Sequence, residues 1–310
     1  MSLRNIRWLF AAALFVALTV QSCGEGVVEI ENVSYEPRIS IEGFLVPGKP
    51  VSGIRLFRNF KLNQDLRQQT PLLDPLKTTA TITDEGSGVV YPLSYHTPAN
   101  LLNIGDYYYE YTGNDLTIEY GGSYTLDVRT EIDNTPVQAR STTTVPLSGF
   151  KIAGVNYDSL RYRQQINGEL VNFVLDIDRS PGTTYYLASI QSLTDDYEKF
   201  VSFSPFGKMS REEFEKDKER FTYNTFWIQN TPEDAGRSIM NLFWFEFHFY
   251  SRYRVIVYAA DKNYREFMQT YSRVQEIDGN FHEARFNIEG QGIGVFGSVI
   301  ADTVYLTVTE

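Results

Sequence analysis

From Arg38 to Pro146, apolar residues recur at every second position. Ile39 and Ile41, Ile54 and Leu56, Ala80 and Ile82, Tyr91 with Leu93 and Tyr95, Leu116 with Ile118 and Tyr120, Tyr124 with Leu126 and Val128, and Val137 with Ala139 all alternate with polar neighbours. A period of two sends successive side chains to opposite faces, which predicts half-buried antiparallel strands. Between them, Glu85-Gly86-Ser87-Gly88, Gly121-Gly122 and Asp133-Asn134 tolerate the positive φ of tight turns. Short strands at this spacing predict a sandwich, and Pro146, which cannot donate to a central ladder, marks its exit.

Alternation resumes beyond Lys151. Val171, Phe173, Leu175 and Ile177 share one face, and Tyr186, Ala188 and Ile190 share a face of the next strand. From Asn241 to Ala260 the pattern reads as continuous strand, with Phe243, Phe245, Phe247 and Phe249 opposite Trp244, Glu246, His248 and Tyr250. Two helices interrupt this half. Ser210 and Glu213 form a capping-box signature before a charged segment, 211–220, in which only Phe214 is apolar. Asp261 caps a second helix, 262–272, whose Tyr264, Phe267, Met268 and Tyr271 fall at helical spacing. No βα alternation is present to build a parallel sheet. The expected fold is all-β, with two β-sandwich-like domains, 36–147 and 148–310, the second carrying short accessory helices.

The first 22 residues do not belong to that fold. Arg4 and Arg7 precede an uncharged apolar run from Trp8 to Val20, the pattern of a secretory signal, and the run is shorter than the roughly 20 residues a membrane span needs. Cys23, the single cysteine of the chain, stands where the signal ends, in Val20-Gln21-Ser22-Cys23. This resembles a bacterial lipobox, and the resemblance implies cleavage before Cys23 and acylation of its thiol, a lasting anchor. Residues 23–35 read as anchor and acidic tether, and their early acidic residues resemble the surface-export signal of Bacteroidota lipoproteins.

Composition narrows the function. With 28 basic against 39 acidic side chains and a pI near 4.9, the chain has no basic field for nucleic acid. Its 21 Tyr and 21 Phe exclude disorder, and one cysteine excludes a disulfide scaffold. His96, His248 and His282 are far apart and show no zinc spacing. His248 and Glu246 could share a strand face, but an ordinary polar surface is the expected role. Gly292-Ile293-Gly294-Val295-Phe296-Gly297 matches G-x-G-x-x-G without the helix and acidic residue a dinucleotide site needs, so these glycines are read as tight turns or close packing. Asp176, Asp178, Asp195 and Asp196 could hide a carboxylate pair or a calcium site, and strand-end solvation is the simpler reading. Trp227, Trp244 and Tyr107-Tyr108-Tyr109 could stack on sugars, although core packing is common for such residues. No catalytic residue, cofactor or metal is expected.

The ending Phe286-Asn287-Ile288-Glu289-Gly290-Gln291-Gly292-Ile293-Gly294-Val295-Phe296-Gly297 resembles that of the Bacteroidota lipoproteins grouped as domain-of-unknown-function family 4249. Ile39-Ser40-Ile41-Glu42-Gly43 and Gly122-Ser123-Tyr124-Thr125-Leu126-Asp127-Val128 are similar to earlier strands of that family, while Gln291 departs from its paired glycines. The resemblance implies a β-rich envelope protein, often encoded near TonB-dependent outer-membrane transporters, without established catalytic residues. The expectation is a non-enzymatic binding or accessory protein, lipid-anchored to the outer membrane at the cell surface or the periplasmic face. An envelope hydrolase acting on glycans and a structural or adhesive lipoprotein are the alternatives. Tyr107, Tyr108 and Tyr109 form the candidate binding surface.

Overall fold

The alternating segments of the first half become eight strands: β1 (Ile39–Leu45), β2 (Arg55–Arg58), β3 (Thr79–Asp84), β4 (Val90–Pro92), β5 (Ser94–His96), β6 (Tyr108–Glu110), β7 (Ser123–Ile132) and β8 (Thr135–Thr144). The second half adds β9 (Lys151–Val155), β10 (Ser159–Arg161), β11 (Gln165–Ile166), β12 (Glu169–Leu170), β13 (Phe173–Arg179) and β14 (Tyr185–Ser192). Helix α1 (Arg211–Thr222) follows, then β15 (Tyr223–Gln229), β16 (Gly236–Leu242), β17 (Arg252–Ala260), helix α2 (Lys262–Tyr271), β18 (Glu289–Gly290) and β19 (Gly292–Thr309). This computed structural model describes residues 35–61, 70–97, 106–183, 185–201, 209–229, 236–271 and 284–310, so the signal, Cys23 and nearly all of the tether lie outside the described residues. The protein is all-β with two short helices. Among the described residues no helix is long and apolar enough to cross a membrane.

Two hydrophobic clusters organise the strands. The first joins Ala80, Ile82, Leu126, Val128 and Ala139, from the inner faces of β3, β7 and β8, to Ile39, Ile41 and Leu56 of β1 and β2. The second gathers Leu175 and Ile177 of β13, Ala188 and Ile190 of β14, and Val255 and Val257 of β17 around Phe173, Phe247 and Phe249. The clusters meet the chain on either side of residue 147, at Val145 and Phe150.

The sheets do not divide at that position. The largest runs in the order β15-β14-β17-β19-β1-β2, so the first strands of the chain complete a sheet whose other members come from its end. β19 is responsible. Its first part pairs in parallel with β1, Ile39 opposite Gly292 through Leu45 opposite Ser298, and its remainder pairs antiparallel with β17 from Val299 to Thr307. Phe296 accordingly belongs to the first cluster, and Ile300, Leu306 and Val308 to the second. The described residues within 37–60 and 64–310 form one compact unit.

Two local readings are corrected. The stretch from Asn241 to Ala260 is not one strand: β16 stops at Leu242, and Trp244–Glu246 form a 3-10 turn closed by hydrogen bonds from Glu246 N to Phe243 O and from Phe247 N to Trp244 O. The turn breaks the two-residue period, leaving Trp244, Phe247 and Phe249 buried while Phe243 and Phe245 stack together in solvent. Alternation alone cannot distinguish such a turn from a strand when every position carries an aromatic ring. Leu116–Tyr120 keeps the expected burial of Ile118 but forms no strand. Its backbone is held by Tyr124, whose hydroxyl donates to Thr117 O at 3.1 Å and accepts from Glu119 N at 2.9 Å.

The capping box forms as its residues predict: Ser210 Oγ accepts from Glu213 N, and Glu213 Oε2 accepts from Ser210 N. Phe214 of α1 is fully buried, between the rings of Phe200 at 5.0 Å and Phe249 at 6.0 Å. Phe221, near the end of the same helix, packs on Phe200 at 4.8 Å, so two rings dock an otherwise charged helix, and burial of Phe214 alone contributes about 2–3 kcal/mol. Ser210→Ala should lower the unfolding free energy by about 1 kcal/mol, and Ser210→Asp by only a few tenths. Denaturant titration of the two variants would check this, and equal losses would show that the cap contributes nothing specific.

Candidate binding site

β5 and β6 form a two-stranded ribbon in which Tyr95 faces Tyr109 and His96 faces Tyr108. Alternation in the ribbon separates Tyr108 from Tyr109, and Tyr107 lies just before β6. Tyr109 points into the first cluster, 3% exposed, with its phenol pushed by burial up to about 12. Tyr107 and Tyr108 remain half-buried. Tyr108 stacks on His96 at 4.4 Å with an 8° interplanar angle, and His96 Nδ1 lies 3.1 Å from Glu110 Oε1. Tyr107 stacks on Tyr95 at 6.0 Å. The run is thus one core anchor and two accessible rings, not three equivalent surface groups.

Tyr95 also borders a cleft of about 570 Å³ beside the β7–β8 turn, lined on its charged side by Arg58, Asp74, Glu131 and Asp133. The turn is the one that Asp133-Asn134 predicts, with φ of 51° and 61°. It carries Asp133 to Arg58, whose Nη2 donates to Asp133 Oδ2 at 2.6 Å, and Lys77 Nζ donates to Glu131 Oε1 at 2.7 Å. Sequence reasoning identified the turn but not the cleft, because Arg58, Asp74 and Tyr95 lie on segments that only the fold brings together. A second, wider cleft of about 740 Å³ lies at the opposite end of β3 and β7, lined by Asp84, Glu85, Asp115 and Glu119. Two of these carboxylates already serve the fold: Asp84 accepts from Gly86 N and Ser87 Oγ, and Asp115 accepts from the Tyr111 hydroxyl.

The other candidates resolve into structure. Asp176 and Asp178 both accept from Arg237, at 2.9 and 3.2 Å, and Lys151 pairs with Asp178 at 3.3 Å. Asp195 pairs with Lys218, and Asp196 caps the 3-10 turn Tyr197–Lys199. Glu246 is buried and accepts from Asn224 Nδ2, and burial raises its carboxyl pKa. Burial lowers the His248 pKa, and its ring lies edge-on to Phe221 at 5.4 Å. His282 and the side chain of Trp227 lie outside the described residues. Among the described residues no cluster of three His, Cys, Asp or Glu side chains could hold a metal ion.

The glycine motif is packing rather than turn. Gly292, Gly294 and Gly297 lie inside β19, and the bend before it falls at Gly290, with φ of 79°. A Cβ on Gly292 would strike Ile288, one on Gly294 the Ile41 carbonyl, and one on Gly297 would stand 2.8 Å from Asp261 Oδ1.

These features define an all-β protein of two hydrophobic clusters sharing one sheet, with a cleft that Tyr95 borders. The chain belongs to the family described as domain of unknown function (DUF4249), whose model matches residues 26–303. No curated protein matches it.

Proposed function

We propose that the chain is a binding or accessory lipoprotein, held at the bacterial outer membrane by acyl chains on Cys23 and working with a TonB-dependent transporter. It acts by binding rather than by turnover. The observation that carries this reading is that Tyr107 and Tyr108, stacked on Tyr95 and His96, stay only half-buried on a ribbon that Tyr109 pins to the core. A rigid sheet can offer such rings without unfolding, and stiff aromatic side chains lose little entropy on contact. The carboxylates singled out in the sequence are engaged by arginine, lysine or backbone partners, which supports structural roles for them.

Two replacements test the reading. Cys23→Ala should move the protein from the membrane to the soluble fraction and abolish uptake of labelled fatty acid. Tyr107→Ser combined with Tyr108→Ser should leave folding intact, because Tyr109 is spared, and should abolish co-purification of the transporter. A Cys23→Ala variant that still fractionates with membranes would remove the anchor from the account. Transporter capture unaffected by the double replacement would remove the surface.

A further inference from the structure

We infer that the outward face of the large sheet, where Arg252 and Arg254 stand beside Tyr305, is a docking surface for an acidic polypeptide segment of a partner protein. The inference rests on reading the chain as a binding protein. It names the chemistry of the partner and a face other than the Tyr107–Tyr108 ribbon.

Alternation along β17 builds the face. Tyr253, Val255 and Val257 belong to the second cluster, so Arg252, Arg254 and Ile256 point the other way. Strand pairing sets Arg254 between Gln191 of β14 and Tyr305 of β19, with Tyr223 of β15 beyond Gln191. The next row carries Thr225, Ser189, Ile256 and Thr303. Both arginines are exposed, and Tyr223 and Tyr305 are 51% and 45% exposed. Neither row contains a carboxylate. Asp302, next to Thr303 along β19, lies opposite the buried Val257 and accepts from Ile152 N at 2.8 Å.

The charges on this face are unusual for the chain. Its formal charge is -11, and several of its arginines lie against carboxylates, as Arg55 does with Glu42, Arg211 with Glu198 and Arg237 with Asp176. Arg252 and Arg254 rest instead on neutral partners. The Arg252 guanidinium lies over the Tyr305 ring, 4.4 Å from its centroid, and Arg254 Nη2 donates to Gln191 Oε1. Among the described residues neither belongs to an ion pair, so a carboxylate can take either N–H fork without displacing a resident one. Neutral neighbours that already position the guanidiniums lower the ordering cost of such a contact. Tyrosine and arginine are also the side chains that most often dominate binding energy at protein interfaces.

Spacing selects a polypeptide over a small carboxylate. Arg252 and Arg254 are two residues apart on one strand, a separation of about 7 Å, and an extended segment with acidic residues at alternate positions repeats at that distance. An anionic membrane fits less well, because lipid recognition uses clusters of about 4–8 basic residues, and this face has two on an acidic chain. The chain also enters the fold at Ile39, opposite Gly292 at the start of β19, whereas Tyr305 lies near the other end of that strand.

The test uses the full-length chain in nonionic detergent micelles and fluorescein-labelled decaglutamate, read by fluorescence anisotropy, with decaglutamine as the neutral probe. Decaglutamate should bind at low ionic strength with Kd below about 1 mM and weaken as salt is raised. Arg252→Gln and Arg254→Gln should each weaken it at least about fivefold without lowering the melting temperature. Arg237→Gln, which removes the same charge from a guanidinium already paired, should leave affinity unchanged. The inference is overturned if decaglutamate does not bind at about 1 mM, if the Arg252 and Arg254 variants bind it as wild type does, or if decaglutamine binds equally well. Displacement of the peptide by phosphatidylglycerol doped into the micelles would also overturn it, assigning the face to a membrane. A transporter that co-purifies with a chain unable to bind decaglutamate would leave the accessory reading standing and remove this one. Peptide binding at the arginines without a captured transporter would do the reverse.

Discussion

Gly294→Val should cost at least about 3 kcal/mol of unfolding free energy, above the usual range for a single exposed substitution. Gly294 has φ of 99°, where L side chains are strained, and an added Cβ would overlap the Ile41 carbonyl oxygen across the parallel ladder. Neither problem can be relieved locally, because Ile41 is itself in the first cluster and its partner strand β2 lies on its far side. The expected result is therefore loss of the β1–β19 pairing. Since the first carbon causes the conflict, Gly294→Ala should be nearly as damaging as Gly294→Val. Gly154→Ala in β9, with nothing within 4 Å of the new carbon, should be neutral or slightly stabilising. Urea unfolding of the three variants measures this directly. Similar midpoints for Gly294→Ala and Gly154→Ala would show that the close approach is not a constraint.

The second large effect is expected at Asp261. This carboxylate is 6% exposed, accepts from Tyr264 N at 2.9 Å to cap α2, and accepts from Thr143 Oγ1 of β8 at 2.6 Å. Thr143 also meets Ser298 of β19 at 2.8 Å, so three segments are tied together at one buried point. Asp261→Ala removes the cap and the charged acceptor of Thr143, leaving that hydroxyl to Ser298, a combined loss of about 2–4 kcal/mol. Asp261→Asn keeps an acceptor for the helix and turns a donor toward Thr143, so it should cost less than about 1 kcal/mol at neutral pH.

The two variants also differ from wild type in pH dependence. Burial raises the Asp261 pKa above its ordinary value, outweighing the hydrogen bonds from Thr143 and the backbone that lower it. The folded chain then holds the proton more tightly than the unfolded chain. This group's contribution is fully present below the ordinary carboxylate pKa of about 4 and is lost as pH rises through the raised folded value. Asp261→Asn should flatten stability over that window, and a slope unchanged from wild type would place the titration elsewhere.

How far the sequence discloses this protein follows from the range of the interactions involved. β3, β7 and β8 were legible because their period of two, closed by Asp133-Asn134, is local. Both helices were legible from their caps, Ser210 with Glu213 and Asp261. The sharing of one sheet between the two ends of the chain was not, since parallel pairing of β1 with β19 joins residues separated by nearly the whole sequence and has no turn to announce it. For the same reason the glycines of the ending read equally as tight turns or as close packing: the close approach comes from Ile41, Ile288 and Asp261, which periodicity cannot place beside them. Of the candidate surface, Tyr107, Tyr108 and Tyr109 were legible together, as one aromatic run between candidate strands. Only strand pairing assigns Tyr109 to the core and brings in Tyr95 and Arg58.

The central claim is that this chain works by binding at the outer membrane. Its most direct test is affinity purification of the intact, C-terminally tagged protein from native membranes in mild detergent, with mass spectrometry of the captured proteins and of the mature N-terminus. The account predicts a chain beginning at acylated Cys23 and accompanied by a TonB-dependent transporter. An unmodified N-terminus, no transporter, and hydrolysis of an envelope or dietary glycan by the purified chain would contradict it.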